Sequence, residues 1–358
     1  MKKGGGCDRN CRLLTMNKKV LICTVIFALM LAVVSCNRQE DEPVVKTGFY
    51  LDTLIKISAY GPGASEAIDA CFERLGEIDV KMNARASDSE VAAINEAAGE
   101  HSVQVSPDTF FVIKRGLYFS ELSGGRFDIT VGPLVNLWGI GTDRARVPEK
   151  SEIEEALNLI NYNDVLVDED QKTVMLKRPG MAIDLGAIAK GYAADEVIRI
   201  LKERGIKSAV ADLGGNVYVL GKKPNGQPWK IGIQDPFELR GDIFATVEAS
   251  DKTLVTSGVY ERYFEEGGKR YHHLLDTSTG YPVDNGLVSV TIISDSSMDA
   301  DALSTTVFSL GLEQGMQLVE SLPDVEAVFV TKDKEVYVSS GMSAYNFQIT
   351  DESFTLKQ

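Results

Sequence analysis

The run Asp299-Ala300-Asp301-Ala302-Leu303-Ser304-Thr305 places a carboxylate and a hydroxyl four residues apart. On a helix those positions share a face, so Asp301 and Thr305 converge on one ligand. Both are hard oxygen donors, the kind Mg²⁺ takes together with waters and phosphate oxygens. The competing reading is a helix start at which Asp and Thr serve only the backbone. A second run, Asp184-Leu185-Gly186-Ala187-Ile188-Ala189-Lys190-Gly191-Tyr192-Ala193-Ala194-Asp195, reads as a turn entering a helix. Its small residues let the backbone approach a ligand closely. Asp184 suits a ribose or flavin edge and Lys190 a phosphate, unless Lys190 is simply a solvated helix lysine.

Two of the three histidines sit together in Tyr271-His272-His273-Leu274-Leu275-Asp276-Thr277-Ser278-Thr279-Gly280. Neighbours on a strand point to opposite faces, so one of the pair can enter a given site. His273 is the candidate, for acid–base work or phosphate contact. The Asp-Thr-Ser-Thr-Gly stretch also reads as plain turn chemistry. Asp212-Leu213-Gly214-Gly215-Asn216 and Thr256-Ser257-Gly258 suggest tight turns, with Asn216 read as structural. The run from Gly124 to Gly139 would either wall a flat aromatic ligand or form a buried loop. No Gly-x-x-x-x-Gly-Lys-[Ser/Thr] occurs, which excludes a phosphate-cradling loop of that kind.

Several elements must hold these residues. Ala64 to Val80 has helical spacing through Ile68, Phe72, Leu75 and Ile78. Ser106-Pro107 opens a helix to about Leu122, and Ser151-Glu152-Ile153-Glu154 fits a capping box for another, to about Ile160. Ala187 to Arg204 is a third, closed by Gly205, and Met298 to Leu310 a fourth. Strands are expected at 53–60, 208–212, 217–220, 229–234, 244–249 and 288–293, with a hairpin at 325–330 and 335–338. Without strict strand–helix alternation, the expected class is α+β, one domain over 47–358 with mixed sheets and packed helices.

The 358 residues carry a formal net charge of −15, with 44% hydrophobic and 25% charged residues. That composition is globular, and that charge argues against nucleic acid, so a phosphate ligand needs a local positive site or a cation. Met16-Asn17-Lys18-Lys19 followed by the apolar stretch 20–34 reads as a signal segment, 1–35, with residues 1–15 as an upstream extension. Val33-Val34-Ser35-Cys36 resembles a bacterial lipoprotein cleavage box, which implies a lipid on Cys36 and a polar tether over 36–46. Cleavage there would leave Cys71 as the single thiol besides Cys36, so no intrachain disulfide is expected.

The ordered set closely resembles the ApbE family, the FAD:protein FMN transferases. It comprises Phe127-Asp128-Ile129-Thr130-Val131-Gly132-Pro133-Leu134, Asp184 to Tyr192, Asp212 to Asn216, Thr256-Ser257-Gly258, His273 to Gly280, and Ala300 to Thr305. The resemblance implies that the Ala187 carbonyl, Asp301 and Thr305 hold Mg²⁺. It implies that Asp184, Lys190 and Phe127-Asp128-Ile129 bind FAD, and that His273 and Leu274 lie at the pyrophosphate. Ser304 stands where some members place another acidic ligand. Leu51-Asp52-Thr53 replaces the usual Met-Gly-Thr, and Met82-Asn83-Ala84-Arg85 lacks the aromatic ring that many members stack on the flavin. The implied reaction is attack by a Thr or Ser hydroxyl of an acceptor protein on the FMN-side phosphorus of FAD, releasing AMP. His273 or Asp301 would take the proton. The implied acceptors are redox-pump subunits or extracytoplasmic flavoproteins with a short Ser/Thr motif, met on the periplasmic side of the cell envelope by a lipid-anchored protein. Two rival readings share the same residues: an Mg²⁺-dependent FAD pyrophosphatase and a non-catalytic flavin carrier.

Overall fold

A computed structural model describes residues 42–357. The signal segment 1–35, Cys36 and most of the tether lie outside the described residues. The sheet begins at Val44, inside the stretch expected as tether, so the folded unit starts at Pro43 and not at residue 47. Alternating exposure along Val44–Tyr50 marks a strand, which pairs with Thr53–Ala59 across a two-residue turn.

That hairpin is one edge of a nine-stranded sheet. Next come Ala209–Leu213, Asn216–Leu220, Lys252–Gly258, Leu287–Ser294, Glu326–Thr331 and Glu335–Val338, all antiparallel to their neighbours, and then a parallel edge strand, Thr355–Leu356. Helices Ala64–Met82, Ala189–Glu203 and Ser297–Leu310 pack with one face of it in the main hydrophobic core. On a second core lies a small sheet of Trp229–Gln234, Ile243–Ala249 and Gln348–Ile349. The architecture is α+β, as expected.

Most expected elements form within a residue or two of their expected bounds. The Ser106-Pro107 signal gives helix Pro107–Leu122. The capping signal at Ser151 is displaced: the helix runs Lys150–Leu157, and the Glu149 N–H donates to the Glu152 carboxylate at 2.8 Å. Ala187 and Ile188 stay outside the third helix, which starts at Ala189. The short strands Val165–Asp168, Thr173–Leu176, Tyr263–Glu266 and Lys269–His272 were not expected, being too brief for alternation to show.

Candidate active site

Two helices meet at the site. Helix Ala189–Glu203, the Lys190 helix, crosses helix Ser297–Leu310, the Asp301 helix, where a Cβ on Gly191 would lie 2.2 Å from the Ser297 carbonyl oxygen. Any larger residue would force them apart. Closeness lets the Gly191 N–H donate to Asp301 Oδ2 at 2.9 Å. Lys190 Nζ donates to the Gly186 carbonyl at 3.1 Å and to Asp301 Oδ1 at 3.3 Å. The Asp301 carboxylate is thus buried, at 4% exposure, yet fully engaged. One turn on, Thr305 Oγ1 lies 3.3 Å from Ser257 Oγ, which lies 2.8 Å from Ser304 Oγ. Ser304 is therefore spent on Ser257 and on the Asp301 carbonyl, at 2.9 Å, and presents no acidic group.

These groups open onto a cleft of about 390 Å³. Every residue expected to bind or react borders it: Phe127, Asp128, Ile129, Asp184, Ala187, Lys190, His273, Leu274, Asp301 and Thr305. Three segments far apart in sequence are zipped together to make its floor. The Asp184 N–H donates to the Ile129 carbonyl at 2.8 Å, and the Gly132 N–H to the Ala182 carbonyl at 3.2 Å. The Trp138 indole N–H donates to the Gly280 carbonyl at 2.8 Å, and the Thr277 hydroxyl to the Gly125 carbonyl at 2.6 Å.

The histidine pair divides as alternation requires. His272 is buried, its Nε2 3.0 Å from the Val283 carbonyl and its ring edge-on to Phe308. His273 borders the cleft, with Nδ1 3.2 Å from the Arg262 carbonyl. A carbonyl only accepts, so Nδ1 carries the proton and Nε2 keeps a lone pair. Burial, and then the Arg262 guanidinium, pull the imidazole down to about 3, so it is neutral at ordinary pH.

Asp128 is a correction. It borders the cleft, but Oδ1 accepts the Thr130 N–H and hydroxyl, at 2.8 and 2.7 Å, and Oδ2 the Tyr162 N–H at 3.0 Å. Burial raises its carboxyl above the usual range. Its work is to fold the loop that presents Phe127 and Ile129. Asp184 similarly closes a turn, Oδ1 accepting the Gly186 N–H at 2.7 Å. Asn216, read as structural, sits behind the Asp301 helix, its Oδ1 accepting the Ser297 hydroxyl at 2.6 Å.

The positive site that an anionic ligand requires comes largely from residues the sequence did not single out. Arg126, Arg240 and Arg262 border the cleft beside Lys190. Arg126 is aimed by the Asp276 turn, its Nη1 3.2 Å from both Asp276 Oδ1 and Ser278 Oγ. Its place next to Phe127 was a usable signal; Arg240 and Arg262 lie in loops whose sequence resembles any charged surface. At the rim, Arg85 Nη1 lies 3.2 Å from Asp52 Oδ2. Phe127 and Trp138 border the cleft too, both buried.

The model of the ApbE family matches residues 51–329. The chain belongs to the ApbE family. It is similar to a Klebsiella pneumoniae (strain 342) protein named FAD:protein FMN transferase, 38% identical over 287 residues, which are 80% of this chain and 88% of that one. A Treponema pallidum (strain Nichols) protein of the same name is 35% identical over 352 residues, 93% of this chain and 97% of the relative. Among solved structures, the ApbE protein of Thermotoga maritima superposes with a TM-score of 0.78 at 35% identity, covering 85% of this chain and 99% of that one. The flavin transferase ApbE of Vibrio cholerae gives 0.77 at 30% identity, with coverage of 85% and 99%. This ApbE chain therefore shares both sequence and architecture with named flavin transferases.

Proposed function

We propose that this ApbE chain moves FMN from FAD to a Thr or Ser hydroxyl of an acceptor protein and releases AMP. One observation carries the reading: a single ammonium, Lys190 Nζ, reaches both the Gly186 carbonyl and Asp301 Oδ1. Oxygens of the two segments are thus near enough to share a cation, and the Arg-lined cleft beside them suits a diphosphate. The donor chemistry fits Mg²⁺, with the Ala187 carbonyl, Asp301 and Thr305 as its holders. When bound, that ion neutralises diphosphate charge and the charge that develops on departing AMP.

The chain's own groups do the rest. Lys190 and the arginines draw the diphosphate in. His273 Nε2, kept unprotonated by the Nδ1–Arg262 contact, takes the proton of the attacking hydroxyl. Asp301 is less suited to that task, because both its oxygens already accept hydrogen bonds. The new bond joins the acceptor oxygen to the FMN-side phosphorus. The bond that breaks is from that phosphorus to the bridging oxygen, which leaves with AMP. The Cys36 box supports a lipid anchor on the periplasmic side of a membrane, which metabolic labelling with palmitate and a Cys36→Ser variant would test.

The deciding measurement is mass spectrometry of a candidate acceptor incubated with the full chain, FAD and Mg²⁺. Gain of one FMN on Thr or Ser supports transfer. Free FMN and AMP without a modified acceptor would replace it by diphosphate hydrolysis, and intact bound FAD by a carrier.

A further inference from the structure

Asp301 and Thr305 are useful only if their helix sits at one register against the Lys190 helix. A slip of about 1 Å is enough to cost a reaction about a hundredfold. Gly191 permits the close crossing but does not fix it, since a glycine bears no group that grips. The grip comes from Asp195, four residues later on the same helix. Its Oδ1 accepts the Ser297 N–H at 2.8 Å, and its Oδ2 accepts the Met298 N–H at 3.0 Å and the Ser296 hydroxyl at 3.1 Å. The two N–H groups are first-turn donors with no partner inside their own helix, and the positive end of the helix dipole favours a carboxylate there. Asp195 thus holds the start of the Asp301 helix, while Gly191 N–H and Lys190 Nζ hold the carboxylate one turn further along.

We propose that Asp195 is a positioning residue for the cation and diphosphate site: from one helix it clamps the first turn of the other and sets Asp301 and Thr305 against Gly186, Ala187 and Lys190. This rests on the proposed transfer reaction and says which residue outside the cleft makes its oxygen cluster tight. Asp195→Asn keeps the shape but turns an NH₂ toward an N–H, so one clamp bond is lost. Asp195→Glu keeps the charge.

The test uses the full chain with Mn²⁺ and FAD, reading bound Mn²⁺ by electron paramagnetic resonance, FAD alone by flavin fluorescence in EDTA, FMN transfer, and thermal unfolding. Arg115→Met is the control. It removes a bidentate ion pair to Asp299, at 2.7 and 2.6 Å, which also holds the Asp301 helix but from outside the site. Asp195→Asn should weaken Mn²⁺ about 10- to 100-fold and lower kcat, with FAD binding in EDTA within twofold. Asp195→Glu should recover part of the loss. Arg115→Met should lower the unfolding temperature and leave Mn²⁺ affinity alone. If Asp195→Asn does not fold, Ser296→Ala, which deletes one of the three bonds, must show the same selective loss at smaller size. Wild-type Mn²⁺ affinity in a folded Asp195→Asn or Ser296→Ala overturns the proposal, as does a loss that Arg115→Met reproduces. Wild-type chain that binds Mn²⁺ with FAD but modifies no acceptor would defeat the transfer reading and leave the clamp standing.

Discussion

The Asp301 wall of the cleft and the rim formed by Leu51, Asp52 and Arg85 use similar side chains in different states. Asp301 is buried, with an ammonium and an N–H on its two oxygens. Asp52 is about half exposed and meets one long side chain, Arg85, at 3.2 Å. Below the rim, the cross-strand partners Phe49 and Leu54 are 70% and 60% exposed. One wall is fixed before any ligand arrives, so its dipoles need no reorganisation when charge develops. The rim is loosely held and partly apolar, as suits a surface that must admit a protein-borne hydroxyl.

If that contrast is right, the largest effect lies in the wall. Asp301→Asn should cut single-turnover FMN transfer by about 10³-fold. The fold should persist, because Asn retains an oxygen for the Gly191 N–H. A variant keeping a tenth of wild-type transfer would move the essential oxygen elsewhere. Gly191→Ala attacks the same wall through packing. Its Cβ meets backbone at 2.2 Å, and backbone cannot rotate away, so denaturant melts should show a loss of about 3 kcal/mol. Gly76→Ala, in a helix where the nearest atom is a Tyr50 ring carbon at 3.6 Å, should instead gain up to about 1 kcal/mol.

His273 sharpens the contrast through pH. Its folded value, about 3, lies below the unfolded one near 6.5. The folded state therefore binds fewer protons. Its advantage is complete above about pH 6.5 and is lost as pH falls from there toward 3. NMR of the His273 ring should show no titration between pH 8 and 5. A midpoint near 6 would mean that the ring is solvated and that the wall is looser than its hydrogen bonds imply.

How much of this was legible follows the same division. The wall is spelled in local patterns: Asp301 and Thr305 at helical spacing, Gly191 where two backbones touch, and Ser106-Pro107 and Gly205 bounding helices. Such patterns reflect sterics that act within a few residues, so a single chain displays them. Asp128 was misread because a carboxylate folding a loop and a carboxylate binding a ligand look alike until hydrogen bonds are seen. Arg240 and Arg262 were missed because loop arginines carry no periodicity. The strand Val44–Tyr50 was missed because its outward residues, Val45 and Phe49, are apolar while Lys46 points inward, blurring the expected alternation.

The smallest effect tests the rim itself. Leu51 and Asp52 both have positive φ, 53° and 56°, a backbone that a two-residue hairpin turn requires and that Asn-Gly fills with least strain. Leu in that region is unusual, which makes the turn a place where stability has been given up while Leu51, Asp52 and Thr53 all border the cleft. The double change Leu51→Asn with Asp52→Gly should stabilise the protein by about 1 kcal/mol, read from denaturant midpoints. It also removes the Arg85 partner and one apolar side chain. KM for the acceptor protein should therefore rise severalfold, while FAD affinity and single-turnover chemistry on the wall stay within twofold. Equal losses in FAD binding would show that the rim is part of the dinucleotide site, and the division between a fixed wall and an adaptable entrance would have to be redrawn with Asp52 and Arg85 on the fixed side.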